Sequence, residues 1–385
     1  MNNYVFNFST RIVSGAGAIN KVGEEVKKFG AKNLLIATDP FLMQSKIIDV
    51  VTASLAQEGV EYVLFPQVQP DPSVECVQDA CTVLLNNNCN AVLGLGGGSA
   101  IDVAKGAAIL ATNPGPIAQY EGADKIPNCP LPIFAIPTTA GTGSEVSQTS
   151  VLSDGEAKRS IRSVMATPKV AFLDPMVLET VPRKVAISSG LDALAHNIES
   201  YVSLWASPMT ECLSEFGIKL AAENLRQHIA NPKNAEAANN MQLSAMLGAA
   251  AFVNSRVGLP HALGMALGGV VHIPHGLGCG LGLAPCIEYS WIANPKKYKR
   301  IAELMGENVA GLSDEEGAQR VVPALKKLFE SLDTPMALSA YGVKEEHLEA
   351  LAAEMIRPGL HLTDPRQADV NDARAILAKA MNYNM

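Results

Sequence analysis

Over the first 180 or so residues, short apolar runs alternate with longer stretches in which apolar residues return every three or four positions. The runs predict strands at Leu34–Ala37, 61–65, Ala91–Leu95, Leu131–Ile136, Val146–Ser153 and Val170–Leu173. The helical periods predict helices at Ile19–Phe29, 43–58 and 73–87, and another after Gly96-Gly-Gly-Ser99. Residues 1–15 read as an extended arm, with Tyr4, Phe6 and Phe8 alternating, broken at Gly15-Ala-Gly17. Strand and helix in turn indicate a mostly parallel sheet with helices on both faces. From about residue 184 the strand signals fade. Helices are predicted at 184–204, 208–229, 233–254, 258–270, 294–304, 314–330, 344–356 and 369–382. The change of pattern divides the chain into an α/β domain, 1–182, and an all-helical domain, 183–385.

A chain of 385 residues exceeds one ordinary core, which agrees with two domains. With 48% hydrophobic and 18% charged residues it is globular, and a net charge of −8 argues against nucleic acid or an anionic membrane as partner. The seven cysteines (76, 81, 89, 129, 212, 279, 286) form no CxxC pair and read as reduced thiols of a cytoplasmic protein. The N-terminus lacks the basic and apolar regions of a signal peptide. The most apolar stretch, 257–275, carries three histidines and does not read as a transmembrane span.

Three strand ends carry candidate nucleotide chemistry. Gly96-Gly-Gly-Ser99 joins a strand to a helix, so the backbone can approach a phosphate and the helix start offers free N–H groups. A tight structural turn would have the same composition. Asp39, at the tip of the 34–37 strand, could accept bonds from both ribose hydroxyls and repel a 2′-phosphate, or simply cap the next helix. Pro137-Thr-Thr-Ala-Gly-Thr-Gly-Ser-Glu145 is rich in hydroxyls and mobile backbone and suits a second wall of a nucleotide site, or an ordinary loop.

The helical half carries candidate metal chemistry. Asp192 and His196 are four residues apart on one helix face, among apolar neighbours. His261 lies in a helix with small residues, and His275 follows in Ile273-Pro-His-Gly276, where Pro and Gly predict a helix end and a turn. One carboxylate and three imidazoles suit Fe²⁺, Zn²⁺, Ni²⁺ or Mn²⁺ and leave room for a substrate oxygen. Taken singly, each histidine could equally be a hydrogen-bonded core residue.

The combination of Gly96-Gly-Gly-Ser-x-x-Asp102-x-x-Lys105, Pro137-Thr-Thr-x-x-Thr142-Gly-Ser-Glu145, Asp174-Pro175, Asp192-Ala-Leu-x-His196, His261…His275-Gly276 and Asp364-Pro-Arg366 resembles the iron-containing, group III alcohol dehydrogenases over nearly the whole chain. The resemblance implies a Rossmann-like N-terminal domain and an all-α C-terminal domain, the dehydroquinate synthase-like architecture. It also implies an NAD(P)-dependent alcohol dehydrogenase or aldehyde reductase acting on a small primary alcohol or aldehyde. Asp192, His196, His261 and His275 match the metal ligands, with Fe²⁺ expected and Zn²⁺ compatible. Gly97, Gly98, Ser99 and Asp102 match the pyrophosphate segment, and Thr138, Thr139 and Thr142 the nucleotide-contacting loop. Lys158 falls near the nicotinamide ribose, and Asp39 at the position that favours NAD over NADP. Similar enzymes are dimers or larger.

Three positions depart from the family pattern. Met265 replaces a histidine suspected of relaying protons, and His272 is the nearby imidazole that could take its place or serve structure alone. Arg256 stands where similar enzymes carry a small residue; turned toward substrate it would favour an acid group, and turned outward it would be a salt-bridging surface residue. Asp71 replaces an asparagine near the ribose. The competing readings are a dehydroquinate synthase- or glycerol dehydrogenase-like enzyme, a semialdehyde or acid reductase of the maleylacetate or hydroxybutyrate type, and a non-catalytic metal and nucleotide sensor. The threonine loop and the 14-residue His261–His275 spacing favour the alcohol dehydrogenase branch.

Overall fold

The computed structural model describes residues 3–155 and 157–383. They cluster into two compact units: Asn7–Thr139 with Gly143–Val181, and Pro182–Met385 with Ala140–Thr142 and the first few residues.

The first unit contains β1 (Arg11–Ser14), α1 (Val22–Lys28), β2 (Asn33–Ala37), α2 (Lys46–Gln57), β3 (Glu61–Phe65), α3 (Val74–Asn86), β4 (Ala91–Gly96) and α4 (Gly98–Thr112). It continues with β5 (Gly122–Ala123), β6 (Ile133–Pro137), β7 (Thr149–Asp154), β8 (Ala157–Arg162) and β9 (Val170–Leu173). Six strands form a parallel sheet in the order β1-β9-β6-β4-β2-β3. Strands β4, β6 and β9 are fully buried and β2 is buried from Leu34 onward, which explains why they read as unbroken apolar runs. β3 lies on one side of β2 and β4 on the other, so the chain reverses its direction of winding at the carboxyl ends of β2 and β4. Doubly wound sheets bind ligands at such a switch point.

A second, three-stranded sheet, β5-β8-β7, contains an antiparallel hairpin. Its strand β8 was not among the predicted elements. Its sequence, AKRSIR, has no apolar run, and its buried anchor is Ile161. β7 also starts three residues later than predicted, because 144–148 is held by Lys105 instead of by a strand partner.

The second unit is helical: α5 (Arg183–Val202), α6 (Pro208–Ala230), α7 (Ala235–Ser255), α8 (Leu259–Val271), α9 (His275–Ser290), α10 (Pro295–Leu304), α11 (Asp314–Ala318), α12 (Val321–Ser331), α13 (Leu348–Ile356) and α14 (Val370–Met381). None is long and apolar enough to cross a membrane. Two expectations change here. The predicted 314–330 helix is two, with a break at Gln319-Arg320. The turn predicted after Pro274 is instead the first turn of α9, a helix absent from the sequence expectations that carries four glycines and Pro285.

Those glycines let α9 touch its neighbours. A Cβ on Gly276 would fall 2.4 Å from the Ser188 carbonyl oxygen, and one on Gly278 would fall 3.0 Å from the Gly264 Cα. One on Gly280 would fall 2.8 Å from the Leu191 Cβ. The roughly 1 kcal/mol that each glycine costs a helix is offset by backbone-to-backbone contact that larger residues prevent. Asn197 ties α5, α6 and α7 in a similar way. Its Nδ2 donates to the Ala193 and Ser244 carbonyls, with Gly217 and Gly248 packed against it.

Candidate active site

The first unit assembles the nucleotide candidates at the switch point. Gly96 ends β4 with φ +152, and Gly97 caps α4 with no side-chain cap of its own. The first N–H groups of α4 therefore keep their positive end available to an anion. A Cβ on Gly96 would collide with Ala100 at 2.7 Å and would come 3.6 Å from Asp39 Oδ2. A Cβ on Gly97 would meet the Thr139 side chain at 3.5 Å. Asp39, Gly96–Ser99 and Thr139 thus share one place at the ends of β2, β4 and β6. Asp39 divides its carboxylate: Oδ1 accepts the Leu42 N–H at 3.0 Å, and Oδ2 faces the glycine turn. The bond to Leu42 fixes the turn Leu42–Gln44 and not the start of α2, which lies at Lys46, and it leaves Oδ2 open to the ribose reading.

Not every candidate stands at that turn. Thr138 is buried, its N–H donating to the Gly96 carbonyl. Thr142 belongs to Ala140–Thr142, which clusters with the helical unit, where Gly141 rests on Ser189 of α5. Asp102 is taken up by the protein itself: Oδ1 accepts from Ser144 Oγ at 2.7 Å, and Oδ2 from the Val151 N–H at 3.0 Å. Burial raises its pKa against the pull of Lys105. Lys105 is fully buried, donating to Ser144 Oγ, Ser147 Oγ and the Thr149 carbonyl. Burial lowers its pKa to about 8 and raises that of Glu145 to about 7. This network braces the loop that follows the threonines. Lys158 sits on β8 and pairs with Asp71 at 2.6 Å, where Asp71 holds a left-handed φ of +54. The Lys158 candidate and the Asp71 departure are thus the two halves of one ion pair.

The second unit assembles the metal candidates. α5 presents Asp192, His196 and Glu199 at i, i+4 and i+7, one face over two turns. His261 comes from the first turn of α8, and His275 opens α9. His261 Nε2 is 3.6 Å from Asp192 Oδ1, and His196 Nδ1 is 3.9 Å from Asp192 Oδ2. The His196 and His261 ring centres are 4.4 Å apart, and those of His261 and His275 5.4 Å. The structure therefore brings all four predicted ligands together. Asp192, His196 and His261 are buried, and His275 is exposed.

Three buried atoms in this cluster, Asp192 Oδ1, His196 Nδ1 and His261 Nε2, lack a hydrogen-bond partner. Each such orphan costs about 1–3 kcal/mol. Two of them, Asp192 Oδ1 and His261 Nε2, face each other at 3.6 Å with a His275 nitrogen within 4.8 Å of both, and His196 Nδ1 stands beside them, 3.9 Å from Asp192 Oδ2. A divalent cation satisfies such orphans, so the donor set fits a metal. Burial drives the His196 pKa down to about 3, which keeps its imidazole neutral, as a ligand must be. Burial works against the Asp192 carboxylate, but the surrounding imidazoles outweigh it and lower its pKa.

Sequence reasoning missed three residues here. Glu199 Oε1 lies 2.6 Å from His261 Nδ1, while Oε2 accepts the Gly258 and His261 N–H groups. Burial pulls the His261 pKa down, and the Glu199 charge outweighs it and raises it. Asp364 takes the Leu259 N–H and the Ser290 hydroxyl. With Pro260 lacking an N–H, two carboxylates satisfy every donor at the start of α8. Cys279, four residues after His275, is the third. The i+7 spacing from Asp192 could have found Glu199; Asp364 stood in the Asp364-Pro-Arg366 segment of the family pattern with no partner assigned to it.

Neither proposed catalytic side chain belongs to this cluster. His272 terminates α8 in the left-handed conformation and is exposed. Arg256 follows α7 with φ +65 and ψ 172, a region otherwise nearly confined to glycine, and its guanidinium lies 4.6 Å over the Trp205 ring.

A glycine turn at the switch point of a parallel sheet, and a carboxylate–imidazole cluster in a helical unit, are the parts of a nucleotide- and metal-dependent enzyme. Comparison with known proteins agrees. The family model described as iron-containing alcohol dehydrogenase matches residues 9–175, and that of the Fe-containing alcohol dehydrogenase family, C-terminal, matches 186–381. An NAD-dependent methanol dehydrogenase of Bacillus methanolicus is 35% identical over 371 residues, 96% of this chain and 97% of that protein. A sulfoacetaldehyde reductase of Bilophila wadsworthia is 35% identical over 376 residues, 95% of this chain and 96% of that one. A crystal structure of 1,3-propanediol oxidoreductase superposes with a TM-score of 0.96 at 34% identity, covering 98% of this chain and all of that one.

The chain belongs to the iron-containing alcohol dehydrogenase family. It is a metal-dependent, nicotinamide-linked oxidoreductase acting on CH–OH groups of small alcohols or on the corresponding aldehydes. Membership sets aside the non-catalytic sensor.

Proposed function

We propose that this protein is an NAD-dependent alcohol dehydrogenase or aldehyde reductase for small neutral primary alcohols and aldehydes, carrying Fe²⁺. The observation that carries the reading is the pair of buried, unpartnered donor atoms Asp192 Oδ1 and His261 Nε2, 3.6 Å apart and close to a His275 nitrogen, with the unpartnered His196 Nδ1 beside Asp192. These four residues would hold the cation; Zn²⁺ fits the same donors. When bound, the cation supplies Lewis-acid polarisation of the alcohol or carbonyl oxygen. Residues 1–182 serve as the nucleotide domain and 183–385 as the metal domain. Gly97, Gly98 and Ser99 offer N–H groups to the pyrophosphate, and Asp39 Oδ2 faces the same turn, where it selects the free ribose of NAD. Thr138, Thr139 and Thr142 line the nucleotide, and Lys158 reaches the nicotinamide ribose. Asp102 acts on the nucleotide through the 144–151 segment that it holds. With methionine at 265, the proton relay falls to His272, the exposed imidazole at the end of α8. Seven free thiols support a cytoplasmic protein. The apolar N-terminal arm supports a homodimer or larger assembly.

A second reading, an acid-bearing aldehyde as substrate, rests on Arg256. A charged side chain on a glycine-like backbone is held there at a cost in strain, and such strain concentrates at functional sites. The test is NADH oxidation by protein loaded anaerobically with Fe²⁺, on matched aldehydes with and without an acid group. Faster turnover of the neutral member is expected. Preference for the acid member, lost in Arg256→Gln, would overturn the main reading in favour of the second.

A further inference from the structure

The metal cluster holds a donor that the four proposed ligands do not include. Cys279 stands four residues past His275 on the same face of α9 and is fully buried. Its sulfur lies 3.6 Å from His275 Nε2. That sulfur, a carboxylate oxygen of Asp192, and one ring nitrogen each of His261 and His275 all lie within 4.8 Å of one another. Asp192 Oδ1 and His261 Nε2 are two of the buried atoms without a partner. A tetrahedral shell with metal–nitrogen and metal–sulfur bonds of about 2.0–2.3 Å has donors about 3.3–3.8 Å apart. Contraction of the donor spacings by at most about 1.5 Å brings the four donors onto such a shell.

Packing on α8 holds the sulfur where it is. A Cβ on Gly264 would be 2.5 Å from it and 2.8 Å from the Cys279 nitrogen. The α8–α9 contact therefore depends on glycine at 264 and presses the Cys279 backbone against α8.

We propose that Cys279 is a metal ligand, completing with Asp192, His261 and His275 a tetrad for thiophilic divalent ions, zinc foremost. The inference rests on the metal site proposed above. The two donor sets share Asp192, His261 and His275 and differ by His196 or Cys279 as the fourth. Binding at the tetrad breaks the S–H bond, forms a sulfur–metal bond and releases the proton to solvent, with no change of oxidation state. One carboxylate and one thiolate cancel the charge of the ion, and thiolate sulfur favours Zn²⁺ or Co²⁺ over Fe²⁺. The chain then sorts cations by softness at one location.

Metal-free protein is titrated anaerobically with Co²⁺ and followed by absorbance, and Zn²⁺ and Fe²⁺ affinities are measured by chelator competition in the wild type, Cys279→Ser and Asp192→Asn. The expected result is a thiolate-to-cobalt charge-transfer band in the near ultraviolet that is absent from C279S. Zn²⁺ affinity should fall roughly tenfold or more in C279S, with a smaller change for Fe²⁺. Co²⁺ bound by the wild type without that band, with Zn²⁺ affinity unchanged in C279S, would overturn the tetrad and leave the four-ligand site standing. No Co²⁺ bound by the wild type, with D192N behaving identically, would overturn both. Circular dichroism of C279S and Cys279→Ala, which keep the small volume at 279, separates loss of fold from loss of a ligand.

Discussion

His261 Nδ1 and Glu199 Oε1 lie 2.6 Å apart, both side chains buried, while the other Glu199 oxygen accepts the Gly258 and His261 backbone N–H groups. One carboxylate thereby sets the first turn of α8, the direction of the ring, and the ring nitrogen left toward Asp192. Carboxylate–imidazole pairs of this kind raise ligand basicity and fix the tautomer.

Glu199→Gln should therefore lower metal affinity about 10–100-fold while the fold persists, because the amide oxygen still accepts one backbone N–H. Chelator competition gives the affinity, and circular dichroism the fold. An affinity equal to that of the wild type would leave Glu199 as a helix cap and nothing more.

Gly276→Ala places a Cβ 2.4 Å from the Ser188 carbonyl and 2.8 Å from the Asp192 Cβ. Backbone must move, at about 1–3 kcal/mol. Because His275 is the adjacent residue, retained metal should fall together with the melting temperature. Metal content measured on the folded variant checks this, and full occupancy would mean that α9 shifts without moving its first residue.

Lys105→Met should destabilise the first unit by about 3–5 kcal/mol, since it leaves Asp102 without its buried cation. The native pKa of Lys105 is about 8, below an unfolded value of 10.5, so the unfolded chain binds more protons between those limits. That contribution is complete above pH 10.5 and is lost as pH falls through 8. Glu145 has the opposite sign: its native value of about 7 exceeds 4.5, so its contribution is complete below pH 4.5 and is lost as pH rises through 7. Urea unfolding at stepped pH should show the cost of K105M growing above pH 8. A cost independent of pH would place the Lys105 charge in water.

Asp39→Ala should cost about 1 kcal/mol through the lost bond to the Leu42 N–H. It should also raise kcat/KM for NADPH relative to NADH, since the oxygen that faces the glycine turn no longer repels a 2′-phosphate. Paired kinetics with the two nucleotides give the answer. An unchanged ratio would make Asp39 a cap alone.

The alternation of apolar runs and helical periods was enough to read the parallel sheet, because β4, β6 and all of β2 past Asn33 are buried on both faces and so carry no charged or polar side chain. The glycine turn and the Asp192–His196 pair were equally legible, as local spacings of three or four residues. The α9 helix was not, because its glycines answer to Gly264, Leu191 and Ser188, which are distant in sequence. Helix propensity describes a segment in water, and close helix contact exists only in the fold. The same reason hid the roles of Glu199, Asp364 and Cys279: each acts on a group brought to it by tertiary packing. The sequence by itself determined which segments are buried and which side chains can carry charge, ligate or turn. The tertiary structure decided which of them meet, since hydrogen bonds and ligand shells are set by ångström distances that no spacing along the chain encodes.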